Sequence, residues 1–593
     1  MKRLALLFTI MGLFFIDLQA QNPQYAWFNY TQRNQKNYSD LTKPVMCLDQ
    51  EAHVVVGRCV RDSAFFKDFP YSPSKDLLSD IYIHKFDSTG KVIWAAAFAG
   101  IGDDYITDIE SDKSSNIYIT GYYSDSLLIN GRYERNDSFK MNKYQMYLIK
   151  LSANGQFLWF KKLGVWHGNY YPTMPQPTAE CDIYGNVWLM NRFFEQRIAV
   201  DTVSIYQASV CNSKSSVFLL QLDSHGTALQ SAVIQGSVMQ NIGPGYGHNR
   251  LPDFDFYINR NNQIFTCISF QSDTIVVDGT KIPDFDSSHW YLTQGRFNRN
   301  HLLVARLNDK LKLQSYGLLE GKFASITADN LDNIYLGGQV YLVTLNGVTI
   351  RTNKTLYRDI LMVKFNKNCE PVRVFMDSTA QYYFYDQTPV EANNYITHIY
   401  VDANNNLLSQ LQFVASWLKL PNGKYIRSAS SGGQESYLLK LDSNFNITWM
   451  KYTEYLFNAV EDEANGKAYL ASLQSYYKFD ALVPNFGTKT HVTACIHYAG
   501  VNTTGTSDNS ISTSVIRIYP NPANTQIIVQ RKNGETGYFN LYSTQGQVIL
   551  SKIIDSHDPE FIMIHTAELK DGVYYATFMG KTVQHTQMIV IQH

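Results

Sequence analysis

The stretch DKSSNIYITG, Asp112 to Gly121, has two close counterparts in the chain, DIYGNVWLMN from Asp182 and DNLDNIYLGG from Asp329. In each copy an acidic residue begins a short polar segment, and an aromatic residue follows six positions after it. Asp and Asn side chains hydrogen-bond to nearby backbone and favour turns, whereas aromatic and β-branched residues favour strands. The stretch therefore predicts a tight turn that leads into a strand.

A looser form of this pattern occurs seven times, at intervals of 61 to 77 residues. The turn residue and the apolar residue six positions later are Asp49/Val55, Asp112/Tyr118, Asp182/Trp188, Asn259/Phe265, Asp329/Tyr335, Asp402/Leu408 and Glu463/Tyr469. Recurrence at similar intervals of this length indicates a repeat architecture rather than seven unrelated loops.

Two more motifs accompany each copy. The first reads as a β-hairpin, as in YIHKFDSTGKVIW from Tyr82, and its returning strand carries a tryptophan in three copies, Trp94, Trp159 and Trp449. The second is a short segment such as DSLLING or DTIVVDG, which follows the main strand. Together they predict about four short strands per repeat, which is the composition of one propeller blade.

The two ends of the repeat region are incomplete in complementary ways. Trp27 in YAWFNY resembles the returning half of a hairpin that lacks its first half, and HVTACIHYAG, His491 to Gly500, resembles a first half without a return. Pairing of these ends would close a ring and remove the exposed sheet edges. We therefore predict an all-β fold, a seven-bladed β-propeller over residues 21–500. An open solenoid would need polar capping repeats instead.

The repeat also resembles a known family. The run K-L/F-D-x-x-G-x-x-x-W followed by D-x-x-x-N-I/V-Y-x-x-G is similar to the bacterial beta-propeller SBBP repeats, and it is best preserved from Lys85 to Trp94 and from Lys150 to Trp159. In a later copy Arg306, Asn308 and Leu311 replace the Lys, Asp and Gly. The resemblance implies a propeller and export from the cell, and it implies no particular reaction.

Composition changes after Gly500. Residues 501–514 are rich in Ser, Thr, Asn and Gly, which predicts a flexible linker. Residues 515–593 then return to alternating strands around the turns STQGQ and LKDGVYY. A segment of this size and pattern predicts a small C-terminal β-sandwich.

This tail resembles the type A C-terminal sorting domain of type IX secretion substrates. The motif residues are Tyr519, Pro520, Asn521, Pro522, Gly546, Gly572 and Tyr574. The resemblance implies a Bacteroidota-type bacterium, handling by the type IX secretion machinery, and a product that is released or attached to the cell surface. The alternative is an accessory sandwich in which Pro520 and Pro522 only stiffen the entry strand.

The first 20 residues predict a secretory signal peptide. Lys2 and Arg3 precede an apolar run from Leu4 to Ile16, and Ala20 is a small residue at the expected cleavage point. The run is too short to span a membrane, and no later apolar stretch is long enough, so we expect no transmembrane span in the mature chain. With 51 basic and 52 acidic residues and no basic run, we expect no nucleic-acid partner.

Seven cysteines are scattered through the chain without CxxC or Cys/His spacing. We therefore expect no metal site and no cofactor. The cysteines are interpreted as small buried apolar residues, with a Cys47–Cys59 disulfide as the alternative.

The chain carries no G-x-S-x-G or H-E-x-x-H motif, and no D-x-[DN]-x-[DN]-G calcium loop. The acidic run Glu461, Asp462 and Glu463 falls on a repeat turn, where solvated side chains are expected. We therefore predict that the protein is not an enzyme.

The strongest indication of binding is a set of aromatic residues between strands, because exposed aromatic faces stack on sugars and pack on protein surfaces. They are Trp166, Tyr170, Tyr171, Trp290, Tyr291, Tyr383 and Tyr385. The leading hypothesis is a non-catalytic binding or adhesion module for a glycan or protein ligand. The alternatives are a carbohydrate-active enzyme with its site on the axial face, and a structural surface component.

Overall fold

The structure is a computed structural model of the chain. It describes residues 24–32, 44–60, 65–66, 69–70, 78–137, 143–167, 177–193, 197–206, 216–236, 254–270, 274–283, 292–293, 296–297, 301–345, 348–351, 360–376, 395–413, 417–419, 425–427, 435–453, 456–462, 465, 467–474, 490–497, 517–519, 526–530, 536–543, 547–555, 561–580 and 584–591. The signal-peptide and linker predictions lie outside these residues. The chain divides into two compact units, Met1–Tyr477 with Phe486–Val501, and Lys478–Asn485 with Asn502–His593.

The described strands of the first unit form seven four-stranded antiparallel units, which we number as blades 1 to 7 and whose strands we number from the innermost outward. Blades 1 to 3 consist of Val45–Leu48, Val54–Val60, Asp80–Phe86 and Val92–Phe98; Asp104–Ser111, Ile117–Tyr123, Lys143–Leu151 and Phe157–His167; Thr178–Cys181, Val187–Phe193, Ser216–Leu222 and Ala228–Ile234.

Blades 4 and 5 share one long strand, Leu313–Ala328, whose first half is strand 4 of blade 4 and whose second half is strand 1 of blade 5. The other strands of these blades are Phe254–Ile258, Ile264–Phe270 and His301–Leu307; Ile334–Leu345, Ile360–Phe365 and Pro371–Met376. Blades 6 and 7 consist of Tyr395–Val401, Leu407–Phe413, Glu435–Leu441 and Ile447–Tyr452; Leu456–Asp462, Lys467–Gln474, Thr490–His497 and Gln24–Gln32.

The innermost strands contact one another in chain order, and the innermost strand of blade 7 contacts that of blade 1, so the blades form a closed ring. Closure is made by the first described strand of the chain, Gln24–Gln32, which is strand 4 of blade 7. Trp27 lies opposite Cys495, as Trp94 lies opposite Lys85 in blade 1. The predicted pairing of the two ends is therefore confirmed, and the ring is compatible with the predicted seven blades.

The blades differ from the sequence prediction in one respect. The segments typified by DSLLING are not blade strands but small extra hairpins between strands 2 and 3. These hairpins are Phe65–Phe66 with Phe69–Pro70, Ser126–Ile129 with Arg132–Arg135, Arg197–Val200 with Val203–Tyr206, Thr274–Val277 with Thr280–Pro283, Leu292–Thr293 with Arg296–Phe297, Val348–Arg351 with the end of strand 2 of blade 5, and Trp417–Lys419 with Tyr425–Arg427. The strand that the sequence prediction missed is strand 1, the innermost and often short strand that precedes each polar turn. Its length of four or five residues in several blades made it inconspicuous in the sequence.

Adjacent blades are held together by apolar side chains between their sheets. At the closure, Val54 and Val56 of blade 1 pack with Tyr469, Val460 and Cys495 of blade 7. Cys47 and Cys59 are both buried and are not joined to each other, so the alternative of a disulfide between them is wrong. They fill the core as small apolar side chains do.

The second unit is a two-layer β-sandwich. A three-stranded sheet contains Arg517–Tyr519, Gln526–Gln530 and Phe561–His565, and a four-stranded sheet contains Val548–Ile554, Gly537–Ser543, Gly572–Gly580 and Gln584–Ile591. Ile527 and Ile564 of the first sheet share one core with Phe539 and Phe578 of the second. The predicted C-terminal sandwich is thus present.

Candidate functional site

The two faces of the propeller are built differently. Because neighbouring strands are antiparallel, the turns from strand 1 to 2 and from strand 3 to 4 lie on one face, which we call the turn face. It includes the short segments 112–116 and 152–156. Connections from strand 2 to 3, and from strand 4 to the next blade, begin and end on the opposite face, which we call the loop face. Several of them are longer than the turns, such as residues 124–142 and 377–394.

On the turn face, the acidic residue of the repeat stabilises the turn that it begins by accepting hydrogen bonds from the backbone of that turn. Asp112 Oδ1 accepts hydrogen bonds from the backbone N–H groups of Ser114 and Asn116, both at 2.9 Å. The residues that make the same pair of bonds in other blades are Asp49, Asp182, Asn259, Asp329 and Asp402. The opening motif is therefore a turn cap, as its composition predicts.

The lysine and tryptophan of the hairpin motif join each blade to the next. Lys85 Nζ lies 2.5 Å from Asp49 Oδ2 in its own blade and donates to the Ala153 carbonyl of blade 2 at 3.0 Å. Trp94 Nε1 donates to the same carbonyl at 2.9 Å. We call this arrangement the blade latch. In the next blade, Lys150 and Trp159 donate to the Ser224 carbonyl at 3.0 and 3.1 Å.

Where the tryptophan is absent, another donor reaches the same turn. Gln230 donates to the Asp309 carbonyl, Ser315 to that of Lys367 and Arg373 to that of Asn444. In two latches the glycine of the turn lies against the tryptophan, Gly155 against Trp94 and Gly226 against Trp159. Gly155 has a φ of +77°, and a Cβ there would lie 2.7 Å from Trp94 Cδ2. The family-like repeat thus encodes contacts between blades.

The latch of blade 6 corrects the prediction for the acidic run at 461–463. Glu461 is 2% exposed and Asp462 is 6% exposed, so neither is a solvated turn residue. Lys440 Nζ forms ion pairs with Asp402, at 2.6 Å, and with Glu461. Glu463 lies outside the described residues, and Asp462 caps the turn by accepting from Asn465.

The axis of the ring has a different chemistry. On the innermost strands, buried apolar residues alternate with half-buried ones, as in Phe254, Asp255, Phe256, Tyr257 and Ile258. Both sets belong to the innermost strands, which contact one another around the axis, and members of the half-buried set reach the innermost strand of the next blade. This half-buried set contributes four carboxylates on three consecutive blades: Asp108, Glu110, Glu180 and Asp255. We call them the axial carboxylates.

Desolvation by the surrounding protein and repulsion between the carboxylates raise the pKa values of these groups. Desolvation raises the pKa of Asp108 and of Asp255 to about 7, although backbone N–H donors oppose the shift. Desolvation raises the pKa of Glu110, with Asp108 adding to it. It also raises the pKa of Glu180, with Glu110, Asp108 and Asp255 adding to it. Carboxyl groups that retain protons near neutral pH can donate hydrogen bonds or act as general acids.

Two of the axial carboxylates also have a structural role. Asp108 Oδ2 accepts the Ala179 N–H of the next blade at 2.9 Å, and Asp255 Oδ2 accepts the Ile326 N–H at 3.2 Å. Glu110 and Glu180 lie two residues nearer the turn face and border the same axis. The chemistry available at the axis therefore rests mainly on these two glutamates.

Sequence reasoning missed the axial carboxylates because it missed the strands that carry them. The signal was present as apolar–polar alternation in YITDIES and FDFYI, directly before two of the repeat turns. The equivalent position of each blade is the strand 1 residue that pairs with the apolar residue six positions after the turn residue, such as Tyr118 in blade 2 and Tyr469 in blade 7. That position holds Cys47, Glu110, Glu180, Tyr257, Thr327, Tyr400 and Val460. Unlike the cap residues, it does not repeat.

The predicted ligand residues lie in or beside connections whose described flanking strands end on the loop face. Trp166 lies in strand 4 of blade 2, opposite Tyr144. The predicted contacts that lie outside the described residues are Tyr170, Tyr171, Trp290, Tyr291, Tyr383 and Tyr385. The strands that flank them end on the loop face, since they bound strand 4-to-1 and strand 2-to-3 connections.

The sorting-motif residues fall in the sandwich. Tyr519 ends the strand Arg517–Tyr519, Gly572 begins Gly572–Gly580, and the Tyr574 hydroxyl donates to the Lys570 carbonyl at 2.8 Å. Pro520, Asn521, Pro522 and Gly546 lie outside the described residues.

One group in the described residues has metal-ligand geometry, namely Asp49, Glu51 and His53. Its buried member, Asp49, is already ion-paired with Lys85 and bonded to two backbone N–H groups. The group is therefore explained by the turn cap. Among the described residues there is also no helix long and apolar enough to cross a membrane.

The fold defines the class of protein, a β-propeller followed by a β-sandwich. The sandwich can be assigned to a particular family: residues 517–592 match the Secretion system C-terminal sorting domain. It is therefore a type IX secretion sorting domain, and the chain is exported to the cell surface or beyond. The comparison with curated proteins found no match.

Similar solved structures include the polysaccharide lyase Uly1, at 11% identity with a TM-score of 0.37, covering 82% of this chain and 94% of that one. The α-L-arabinofuranosidase Arb93A from Fusarium graminearum is 9% identical, with a TM-score of 0.33 and coverage of 80% and 97%. A protein of unknown function from Bacteroides caccae is 12% identical, with a TM-score of 0.28 and coverage of 63% and 90%. At these values the likenesses carry no argument about function.

Proposed function

We propose that the chain is an exported β-propeller binding module that meets a glycan or protein ligand with its loop face. One observation carries the proposal: the two faces have divided roles. Turn-face carbonyls and side chains are engaged in caps and latches, whereas the connections that hold the predicted aromatic contacts begin and end on the loop face. A rigid scaffold with variable loops on one side is the usual arrangement of a binding surface.

The test is a binding array of glycans and outer-membrane proteins, probed with the purified full-length chain. The double variant Trp290→Ala/Tyr291→Ala should lose at least about tenfold in affinity, as expected for aromatic hot spots. The matched control is Tyr184→Ala, because Tyr184 is an aromatic residue that is 75% exposed on the turn face. Equal binding by both variants would contradict the loop-face assignment.

A second function is favoured by the axial carboxylates. Glycoside hydrolases use one carboxylic acid that stays protonated near neutral pH and one ionised carboxylate. The environments of Glu110 and Glu180 favour the protonated carboxylic acid. We therefore propose polysaccharide cleavage at the axis as the alternative. The test is reducing-sugar release from a polysaccharide panel by the wild type, Glu110→Gln and Glu180→Gln.

Asp137→Asn is the control for this assay, since Asp137 is exposed and paired with Lys162. Activity that survives both glutamine variants would exclude the axial site. Activity that both abolish, while Asp137→Asn retains it, would replace the binding-module proposal with the enzymatic one.

A further inference from the structure

The four-stranded sheet of the sorting domain carries apolar side chains on both of its sides. On the strand Gly537–Ser543, Phe539 and Leu541 are fully buried in the sandwich core. Tyr538 alternates with them, points to the other side and is 55% exposed. Strands with two apolar sides are typical of sheets that are covered on both sides. Here the described residues of the sandwich cover one side only.

The outward apolar residues lie in register. Tyr538 is directly opposite Ile553 on one neighbouring strand and Met579 on the other. Four residues along, Tyr542 is opposite Val548 and Tyr575. Directly opposed side chains in a sheet lie about 5 Å apart, so each row is a continuous apolar strip. We call the surface made by these two rows the outer face.

The exposure of the outer face is high for a surface of this composition. Ile553 is 70% exposed, Val548 56%, Tyr575 43% and Met579 39%. The row between the two apolar rows is Ser551, Asn540 and Thr577, which is polar and uncharged. Single exposed apolar residues are normal on any protein, but contiguous rows mark interaction sites. The outer face has the composition of an interface core, with aromatic residues and methionine and without charge.

We propose that the outer face is the surface by which a protein of the type IX secretion machinery holds the chain during export. The family match of residues 517–592 assigns the tail to sorting, so the tail must be bound by that machinery. The absence of charge from the three described rows gives anionic lipid headgroups nothing to pair with, because such surfaces are recognised through Lys and Arg. An apolar protein surface is the matching partner.

The test is export of the full-length chain from a host with a type IX secretion system. In the variant Tyr538→Ser/Ile553→Ser/Met579→Ser, the ratio of exported to periplasmic protein should fall at least about tenfold, because central apolar residues dominate binding energy. The matched control is Leu158→Ser/Leu229→Ser/Val372→Ser. It removes three aliphatic residues from fourth strands of the propeller, which are 47%, 50% and 40% exposed.

Both triple variants should keep the wild-type melting temperature, which establishes that lost export is not lost folding. Normal export of the sorting-domain variant would overturn the proposal. An equal export defect in the propeller variant would also overturn it, because the effect would then be general surface hydrophobicity. A wild-type dimer in solution that the sorting-domain variant makes monomeric would assign the outer face to a second copy of the chain instead.

Discussion

The turn face and the axis of the propeller both contain carboxylates with little access to water, but in opposite electrostatic situations. On the turn face, each cap carboxylate has N–H donors and, in several blades, a lysine, as Asp49 has Lys85. At the axis, desolvation raises the pKa values of Glu110 and Glu180, and neighbouring carboxylates raise them further. Paired buried charges are compatible with stability, whereas crowded ones usually persist at sites with another role.

The comparison also separates residues that recur in most blades from residues that occur in only one or two. Asp, Lys and Trp recur because every blade has to be capped and joined to its neighbour. Glu110 and Glu180 occur in only two of seven equivalent positions, so the architecture does not require them. In a repeat protein, an unrepeated polar residue at a repeated position is therefore the better functional candidate.

The largest expected effect is on ring closure. Deleting residues 21–32 removes the outer strand of blade 7 and leaves Thr490–His497 as an open edge. We expect the truncated chain to aggregate or to lose its cooperative thermal transition, because an open ring exposes unpaired backbone groups. Light scattering and calorimetry measure this. A soluble chain with a wild-type melting curve would contradict closure by this strand.

The next largest effect tests the buried turn-face charges. Lys440→Ala leaves Asp402 and Glu461 buried without their cation. Removing one member of a buried ion pair costs about 3–5 kcal/mol, so the chain should unfold at markedly lower temperature or denaturant concentration. Lys312→Ala is the control, because its pair with Asp278 is exposed, and it should cost below about 1 kcal/mol. Similar losses of stability in the two variants would show that the buried ion pairs of Lys440 contribute no more than the exposed pair of Lys312.

A smaller effect isolates the tryptophan contact of the latch. Gly155 and Gly185 both have positive φ, +77° and +82°, but only a Cβ at Gly155 would meet Trp94. Gly185→Ala should cost about 1 kcal/mol from backbone strain alone, and Gly155→Ala should cost about 1–3 kcal/mol more, as overpacking does. Chemical denaturation measures both. Equal losses would show that Trp94 moves aside freely.

The smallest effect is a pH dependence from the axis. A carboxyl group whose pKa is raised on folding contributes stability that is fully present below its unfolded pKa, about 4, and is lost as pH rises through its folded pKa. For Asp108 and Asp255 that folded value is about 7, so the melting temperature should fall between pH 5 and about 8. Glu180→Gln should flatten this profile and raise the melting temperature at pH 8.

The control for the pH series is Asp137→Asn, an exposed residue away from the axis. It should shift the profile little and leave its slope unchanged. A wild-type profile that is flat between pH 5 and 8 would mean that the axial carboxylates ionise freely, and the electrostatic contrast with the turn face would be lost.

The sequence by itself determined the repeat, the caps, the hairpins and the order of the two units, because these depend on contacts a few residues apart. The bonds by which Asp112 caps its turn reach no further than Asn116, and Lys85 and Trp94 lie opposite each other in one hairpin. The presence of a secretion sorting domain was likewise predictable from the ordered motifs of the tail. Local hydrogen bonding and alternation suffice for such features.

Only the tertiary structure decided which carbonyl each Lys and Trp meets, where the short inner strands lie, and that Asp108, Glu110, Glu180 and Asp255 border one axis. These residues are up to 147 positions apart in the chain, from Asp108 to Asp255. Their proximity comes from ring closure, and no local propensity encodes it. The same holds for the outer face of the sorting domain, where Ile553, Tyr538 and Met579 become neighbours through strand register alone.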